Sequence, residues 1–121
     1  MLTAQEAKDY IERIGERLGY DATAEPIFPE GRNDLAVVKH TTENGSTHGF
    51  DTIYVVWKDV EGSIRHLDLI DSRTSRDYIH IETVRIESGN LIVHVRSGGT
   101  MSGRPWEEII PVPLANLGLR S

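Results

Sequence analysis

Two short segments carry residue types that can do chemistry. In His66-Leu67-Asp68 and in His80-Ile81-Glu82, a histidine lies two positions before a carboxylate. Side chains two residues apart on a strand point to the same face, so each segment would present an imidazole and a carboxylate together. Such a pair can transfer protons near neutral pH, and two imidazoles with two carboxylates can also bind a divalent metal.

The same residues have a simpler interpretation as surface pairs. Histidine and carboxylate side chains on neighbouring strands often face each other on a solvated sheet face, and each pair contributes roughly a few tenths of a kcal/mol. We therefore assign no catalytic residue and no metal ligand, and we predict no cofactor. The candidate ligand-binding residues are Tyr54, His66, Asp68, His80, Glu82 and His94.

The candidate residues fall in the segment 51–96, which predicts consecutive antiparallel strands. Short runs of β-branched and aromatic residues alternate there with polar breaks at residues 59–63 and at Ser88-Gly89-Asn90. Over the whole chain, the predicted strands span residues 35–41, 53–58, 64–70, 78–87, 91–96 and 107–112. The last strand is predicted at a sheet edge, because Pro111 and Pro113 lack an amide donor.

The alternation of side chains along these strands predicts two different sheet faces. Three pairings keep all odd-numbered positions on one apolar face: Ile53 with Leu69, Asp68 with His80, and Glu87 with Leu91. The same pairings put His66 opposite Glu82, so that the four histidine and carboxylate side chains form one patch.

The even-numbered face mixes this patch with too many apolar side chains to be left in water. Three alternatives could cover this face. They are the C-terminal segment 106–119, a second copy of the sheet, and a ligand in a curved pocket.

A helix is predicted at the N-terminus, over residues 4–18. Thr3-Ala4-Gln5-Glu6 has the capping-box pattern, in which the Thr hydroxyl and the Glu carboxylate bind free amide groups of the first turn. The apolar residues at helical spacing form one stripe: Tyr10, Ile11, Ile14 and Leu18. We expect this stripe to cover the odd-numbered face of the sheet.

Residues 20–34 lack periodicity and contain Pro26 and Pro29, so they predict an extended connection. The whole chain is predicted as a single α+β domain over residues 1–121, with the N-terminal helix packed on a mainly antiparallel meander sheet of five to six strands. Two polar segments, 71–77 with Arg73 and Arg76 and the glycine-rich 97–105, could bind an anion, but both lack a specific motif and are interpreted as solvated loops.

Composition excludes several classes of protein. The chain has 13 Lys and Arg against 19 Asp and Glu, a net charge of -6 that disfavours binding to a nucleic-acid backbone. It has no cysteine, which excludes disulfides, thiolate metal sites and cysteine nucleophiles. No apolar run approaches the roughly 20 residues of a membrane span, and no leader sequence is recognisable. We therefore expect a cytoplasmic protein that binds neither nucleic acid nor membrane.

The first functional hypothesis is a non-catalytic interaction or regulatory module that forms a homodimer, or binds a protein partner, through its sheet. The alternative hypothesis is a small-molecule-binding protein or an enzyme with a semi-apolar pocket lined by histidines and carboxylates. Whether the chain is an enzyme stays undecided, because no motif in it specifies a reaction.

Overall fold

A computed structural model of the chain describes residues 1–17, 21–43, 49–71, 79–98 and 104–120. These residues form one α-helix, seven β-strands and a final 3₁₀ turn at Leu114–Leu117. The helix is α1 (Ala4–Arg17), and the strands are β1 (Asp21–Ile27), β2 (Leu35–Glu43), β3 (Gly49–Lys58), β4 (Ile64–Asp71), β5 (His80–Glu87), β6 (Asn90–Ser97) and β7 (Trp106–Pro113).

The strands form two antiparallel sheets instead of one. Strands β1 to β4 pair in chain order in sheet A, and β5 to β7 pair in chain order in sheet B. The predicted meander is therefore observed within each sheet, but the single sheet of five to six strands does not form, because β4 and β5 lie in different sheets. One helix with two antiparallel sheets is consistent with the predicted α+β class.

The odd-numbered positions of β2 and β3 of sheet A and of β6 of sheet B meet in one apolar layer, which we call the inter-sheet core. Its fully buried strand residues are Leu35, Val37, Ile53, Val55, Leu91, Val93 and Val95. Two facing sheets exclude water from the side chains between them, and this burial is the main stabilising contribution of such a layer. The prediction of an odd-numbered apolar face is thus confirmed for β2, β3 and β6, which belong to two sheets.

Helix α1 covers the opposite face of sheet A, and our prediction that it covers the odd-numbered face is wrong. Ala7 and Ile11 pack there against Val38, Tyr54 and Val56. Sheet B occupies the odd-numbered face, so Tyr10, Ile11 and Ile14 of the helix stripe pack on the even-numbered one. Leu18, the last residue of the predicted stripe, lies outside the described residues. The helix itself starts as predicted, because the capping box forms: the Thr3 amide donates to the Glu6 carboxylate and the Glu6 amide donates to the Thr3 hydroxyl, each at 3.0 Å.

Strand β1 replaces the extended connection that the sequence predicts. Its residues include Ala22, Ala24 and Pro26, which are weak strand formers. Pro26 is tolerated because β1 is an edge strand of sheet A. Ala24 is buried beneath helix α1, so packing against the helix favours the strand where local propensity does not.

Two bulges change the face that the even-numbered residues occupy. In β4 the bulge leaves Leu69 unmatched in the pairing with β3, and in β5 it leaves Glu82 unmatched in the pairing with β6. Residues beyond a bulge switch faces, since side chains alternate along a strand. Ile70, Val84 and Ile86 therefore pack into the inter-sheet core.

The turn between β5 and β6 is tighter than predicted. Ser88 and Gly89 have φ angles of 51° and 78°, both in the left-handed region that a two-residue type I′ hairpin requires. Glu87 consequently pairs with Asn90, one residue away from the predicted pairing with Leu91.

Candidate functional site

The structure divides the six candidate residues between the two sheets. Tyr54, His66 and Asp68 lie on sheet A, whereas His80, Glu82 and His94 lie on sheet B. The predicted patch required β4 to pair with β5. Because these strands belong to different sheets, the pairs Asp68 with His80 and His66 with Glu82 do not form.

On sheet A, the ring of His66 lies among aromatic side chains at the border of helix α1. The Tyr10 hydroxyl is 2.8 Å from His66 Nδ1. The Tyr54 ring meets the imidazole edge-on, with ring centroids 5.7 Å apart. Asp68 Oδ1 is 3.9 Å from His66 Nε2, too far for a hydrogen bond. Tyr10 was not among the candidates, because the sequence analysis put the helix on the other face.

His40 extends this row of rings into the interior. It is 2% exposed, and its ring centroid is 6.0 Å from that of Tyr54. Its Nε2 has no hydrogen-bond partner in the described part of the chain. Burial lowers the pKa of His40, because the charged imidazole would lose its solvation there. The sequence does indicate the position of His40, because the alternation of side chains puts it on the same sheet face as Val38 and Tyr54.

On sheet B, the candidates make pairs that are exposed to solvent. His94 pairs with Glu107 of β7, and the Glu82 carboxylate accepts a hydrogen bond from Arg96. His80 Nε2 lies 3.8 Å from the same carboxylate of Glu82. Exposed pairs of this kind contribute about 0–1 kcal/mol each. These pairs differ from the predicted ones, because His94 and Glu82 have partners on β7 and β6 and none among the described residues of β4.

Neither group of candidates has the arrangement of a metal centre. Among the residues that the structure describes, no cluster of three or more His, Asp or Glu side chains is close enough to hold a metal ion. Arg73 and Arg76, which the sequence analysis considered for anion binding, lie outside the described residues, as does most of the glycine-rich loop.

The sheet edges differ in how well they are protected against pairing with another strand. In the described residues the edges are β1 and β4 of sheet A, and β5 and β7 of sheet B. Pro26 protects β1, and Pro111 and Pro113 protect β7, because proline cannot donate a hydrogen bond to an added strand. Strand β5 has no proline, but the bulge at Glu82 interrupts it.

Strand β4 is the edge that has neither a proline nor a bulge along most of its length. It has no proline, and its bulge lies near its end, so that 64–68 pair regularly with β3. Leu67 faces the inter-sheet side and is 40% exposed. On the helix side, its neighbours His66 and Asp68 have side-chain exposures of 34% and 54%. A regular edge that pairs with no further strand among the described residues, and that carries an exposed leucine, is the feature that most resembles a binding surface.

Comparison of the chain with protein-family models gave no match, and comparisons with curated proteins and with solved structures gave no significant match. Within the described residues, no helix has the length and apolar character needed to cross a bilayer. The geometry of the β4 edge therefore provides the basis for a functional proposal.

Proposed function

We propose that this protein is a non-catalytic interaction module that self-associates through β4. Two copies would align their β4 edges antiparallel and join their four-stranded sheets into one. The observation that carries the proposal is the regular, proline-free edge formed by residues 64–68. Added strand pairing satisfies the backbone groups that such an edge exposes.

The sequence of β4 is self-complementary about Leu67. In an antiparallel pair with the two-fold axis at Leu67, this residue meets Leu67 of the second copy. His66 then lies opposite Asp68 of the second copy, and Asp68 lies opposite its His66. Opposite charges facing each other across strands contribute about 0.2–1 kcal/mol per pair, and two leucines would bury apolar surface between the copies.

Neighbouring registers lack this complementarity. An axis at His66 would place two imidazoles opposite each other, and an axis at Asp68 would do the same with two carboxylates. A register shifted by one residue would pair a residue whose side chain lies on one face of the sheet with a residue whose side chain lies on the other face. The alternation of side chains along a strand forbids such a pair. The register about Leu67 is therefore the favoured one.

The surroundings of the histidines support a non-catalytic role. His66 and His40 have no carboxylate within hydrogen-bonding distance in the described part of the chain. The His94 and Glu107 pair is on the outer face of sheet B, where Glu107 has 62% of its side chain exposed. An acid–base pair needs a bound substrate within reach, which a solvated face does not position.

The test is a charge exchange measured by sedimentation velocity over a range of concentrations, at about pH 6, where imidazoles in general are largely protonated. The His66→Asp variant places carboxylates opposite carboxylates, and Asp68→His places imidazoles opposite imidazoles. Each variant alone should dimerise at least about tenfold more weakly than the unchanged protein. An equimolar mixture of the two should recover dimers, because every pair in the mixed dimer is complementary.

The matched control is His94→Asp, which alters a similar histidine and carboxylate pair on sheet B and should leave dimerisation unchanged. Circular dichroism of each variant checks that the fold persists. A strictly monomeric unchanged protein at all concentrations contradicts the proposal and points to a different protein as partner. Failure of the mixture to recover dimers contradicts the register about Leu67.

A further inference from the structure

A cleft of about 510 Å³ opens between the two sheets. The residues described as lining it are not part of the β4 edge at 64–68. Its lining includes the side chains of Lys39, Thr41, Asp51, Ile79, His80 and Arg96. Small-molecule sites commonly have volumes of about 300–1,000 Å³, so the cleft has room for a small organic molecule.

The cleft lies where the inter-sheet face of β2 changes from apolar to polar. Leu35 and Val37 are fully buried on this face, and the next positions in phase are Lys39 and Thr41. A continued apolar series would close the layer between the sheets. Lys39 and Thr41 instead interrupt the apolar series of this face. Polar residues at positions where the pattern of a strand calls for apolar ones concentrate at functional sites.

One wall of the cleft is fixed by Asp51. The Thr41 hydroxyl donates to Asp51 Oδ1 at 2.7 Å, and the backbone N–H of Ile79 donates to Asp51 Oδ2 at 2.7 Å. Asp51 is 3% exposed. Because each carboxylate oxygen accepts a hydrogen bond, Asp51 connects sheet A to the residue preceding β5 and stabilises the wall.

The cationic groups of the cleft differ in their partners. Arg96 is already bound to Glu82, and His80 lies near that same carboxylate. Lys39 is half-buried and forms no ion pair within the described ranges. Its cross-strand neighbour Glu25 on β1 shares its face but is not within ion-pair distance. A half-buried ammonium without a carboxylate gains from an anionic partner, because it has lost part of its hydration.

We propose that this cleft binds a small organic anion whose phosphate or carboxylate group accepts hydrogen bonds from Lys39. Arg96 adds a second cationic group at the rim, and the wall formed by Thr41, Asp51 and Ile79 sets the depth of the site. The described lining holds three basic side chains, Lys39, His80 and Arg96, and one carboxylate, Asp51, whose two oxygens already accept hydrogen bonds from the protein. The proposal does not depend on dimerisation through β4.

The experiment is isothermal titration calorimetry of the full chain with inorganic phosphate, glucose 6-phosphate, succinate and uncharged glucose. At least one of the three anions should bind and glucose should not. The Lys39→Met variant, which keeps an unbranched side chain of similar bulk and removes its charged ammonium group, should weaken binding by about tenfold or more. The matched control Lys8→Met removes an exposed lysine of helix α1 and should leave the affinity unchanged.

A second measurement does not require a variant. Adding the anion to the unchanged protein should shift the amide NMR signals of Thr41 and Ile79 more than those of the β4 edge. Binding of phosphate compounds alone, or of succinate alone, would identify the anionic group. The proposal is overturned if no anion binds, if glucose binds equally well, or if Lys39→Met and Lys8→Met lose affinity to the same extent.

Discussion

The two faces of sheet A are both buried, but they are built from different chemistry. The face against sheet B is aliphatic at its centre, where Leu35, Val37, Ile53 and Val55 are fully buried. The face against helix α1 combines aliphatic residues with the row Tyr10, His66, Tyr54 and His40. The helix packs mainly on β1 and β2, so rings and polar atoms take the remaining space above β3 and β4. A single helix is too narrow to exclude polar groups from the centre of a four-stranded sheet, whereas the second sheet excludes them there and leaves polar residues only towards one end of its face.

The largest expected effect comes from the aliphatic face. Leu35→Ala removes a fully buried side chain from the inter-sheet core, and we expect the free energy of unfolding to fall by about 2–5 kcal/mol. Urea denaturation monitored by tryptophan fluorescence measures this change. The cost reflects lost burial and a cavity that two facing sheets cannot readily close.

The control for this prediction is Leu67→Ala, which makes the same change at the 40% exposed position of β4. Measured on dilute, monomeric protein, it should cost less than about 1 kcal/mol, because little apolar surface is lost. Equal costs at both positions would contradict the assignment of Leu35 to a closed layer and Leu67 to an open edge.

An intermediate effect is expected from pH on the helix-covered face. Above the ordinary pKa of 6.5, His40 is neutral in both the folded and the unfolded chain. As the pH falls below that value, the unfolded chain binds a proton that the folded chain excludes, since burial lowers the pKa of His40 in the fold. The free energy of unfolding should therefore decrease on acidification, by at most about 1.4 kcal/mol per pH unit.

Chemical denaturation at a series of pH values between about 7 and 5 measures this slope. His40→Leu should reduce it and should not destabilise the protein at neutral pH, because it removes a buried nitrogen that has no partner among the described groups. Asp34 and Asp59, whose pKa values are lowered by Arg32 and Arg65, lose their contributions only as the pH falls below 3.8. An unchanged slope in His40→Leu would show that other groups cause it.

The smallest effect is expected at the border between the helix and β4. Tyr10→Phe removes the hydroxyl that lies 2.8 Å from His66, and a partly exposed hydrogen bond of this kind contributes about 0.5–1 kcal/mol. The change should disappear in a His66→Leu background, where the hydroxyl has lost its partner. A double-mutant cycle tests this, and additive costs would mean that the two groups do not interact.

Local signals predict the elements well and their assembly poorly. Three signals act over only a few residues: the capping box at Thr3 and Glu6, the turn at Ser88 and Gly89, and the alternation of β-branched residues. Because they are local, the sequence alone locates α1 and six of the seven strands to within a few positions. Strand β1 escapes detection because Ala24 and Pro26 become strand residues through packing beneath the helix and through an edge position.

The errors in the candidate site have two physical causes. First, alternation shows which residues share a face but not which strands pair, so nothing local indicated that β5 begins a new sheet instead of pairing with β4. This placed His80 and Glu82 wrongly beside His66 and Asp68. Second, the bulges at Leu69 and Glu82 have no sequence signature that alternation reveals, and each one reverses the phase of the residues beyond it. His66 and Tyr54 were correctly placed together, because they lie on one side of the first bulge.

The order of the elements along the chain has a consequence for synthesis. Helix α1 and all of sheet A lie within the first 71 residues, and every strand pairs with a neighbour in sequence. The strands of sheet A and helix α1 can therefore pair with one another before sheet B has left the ribosome. During that interval the aliphatic face around Leu35 and Val55 has no cover, and exposed apolar surface of this kind is where nascent chains aggregate or recruit chaperones. The surface most prone to aggregation during folding is therefore the same aliphatic face that excludes water in the folded protein.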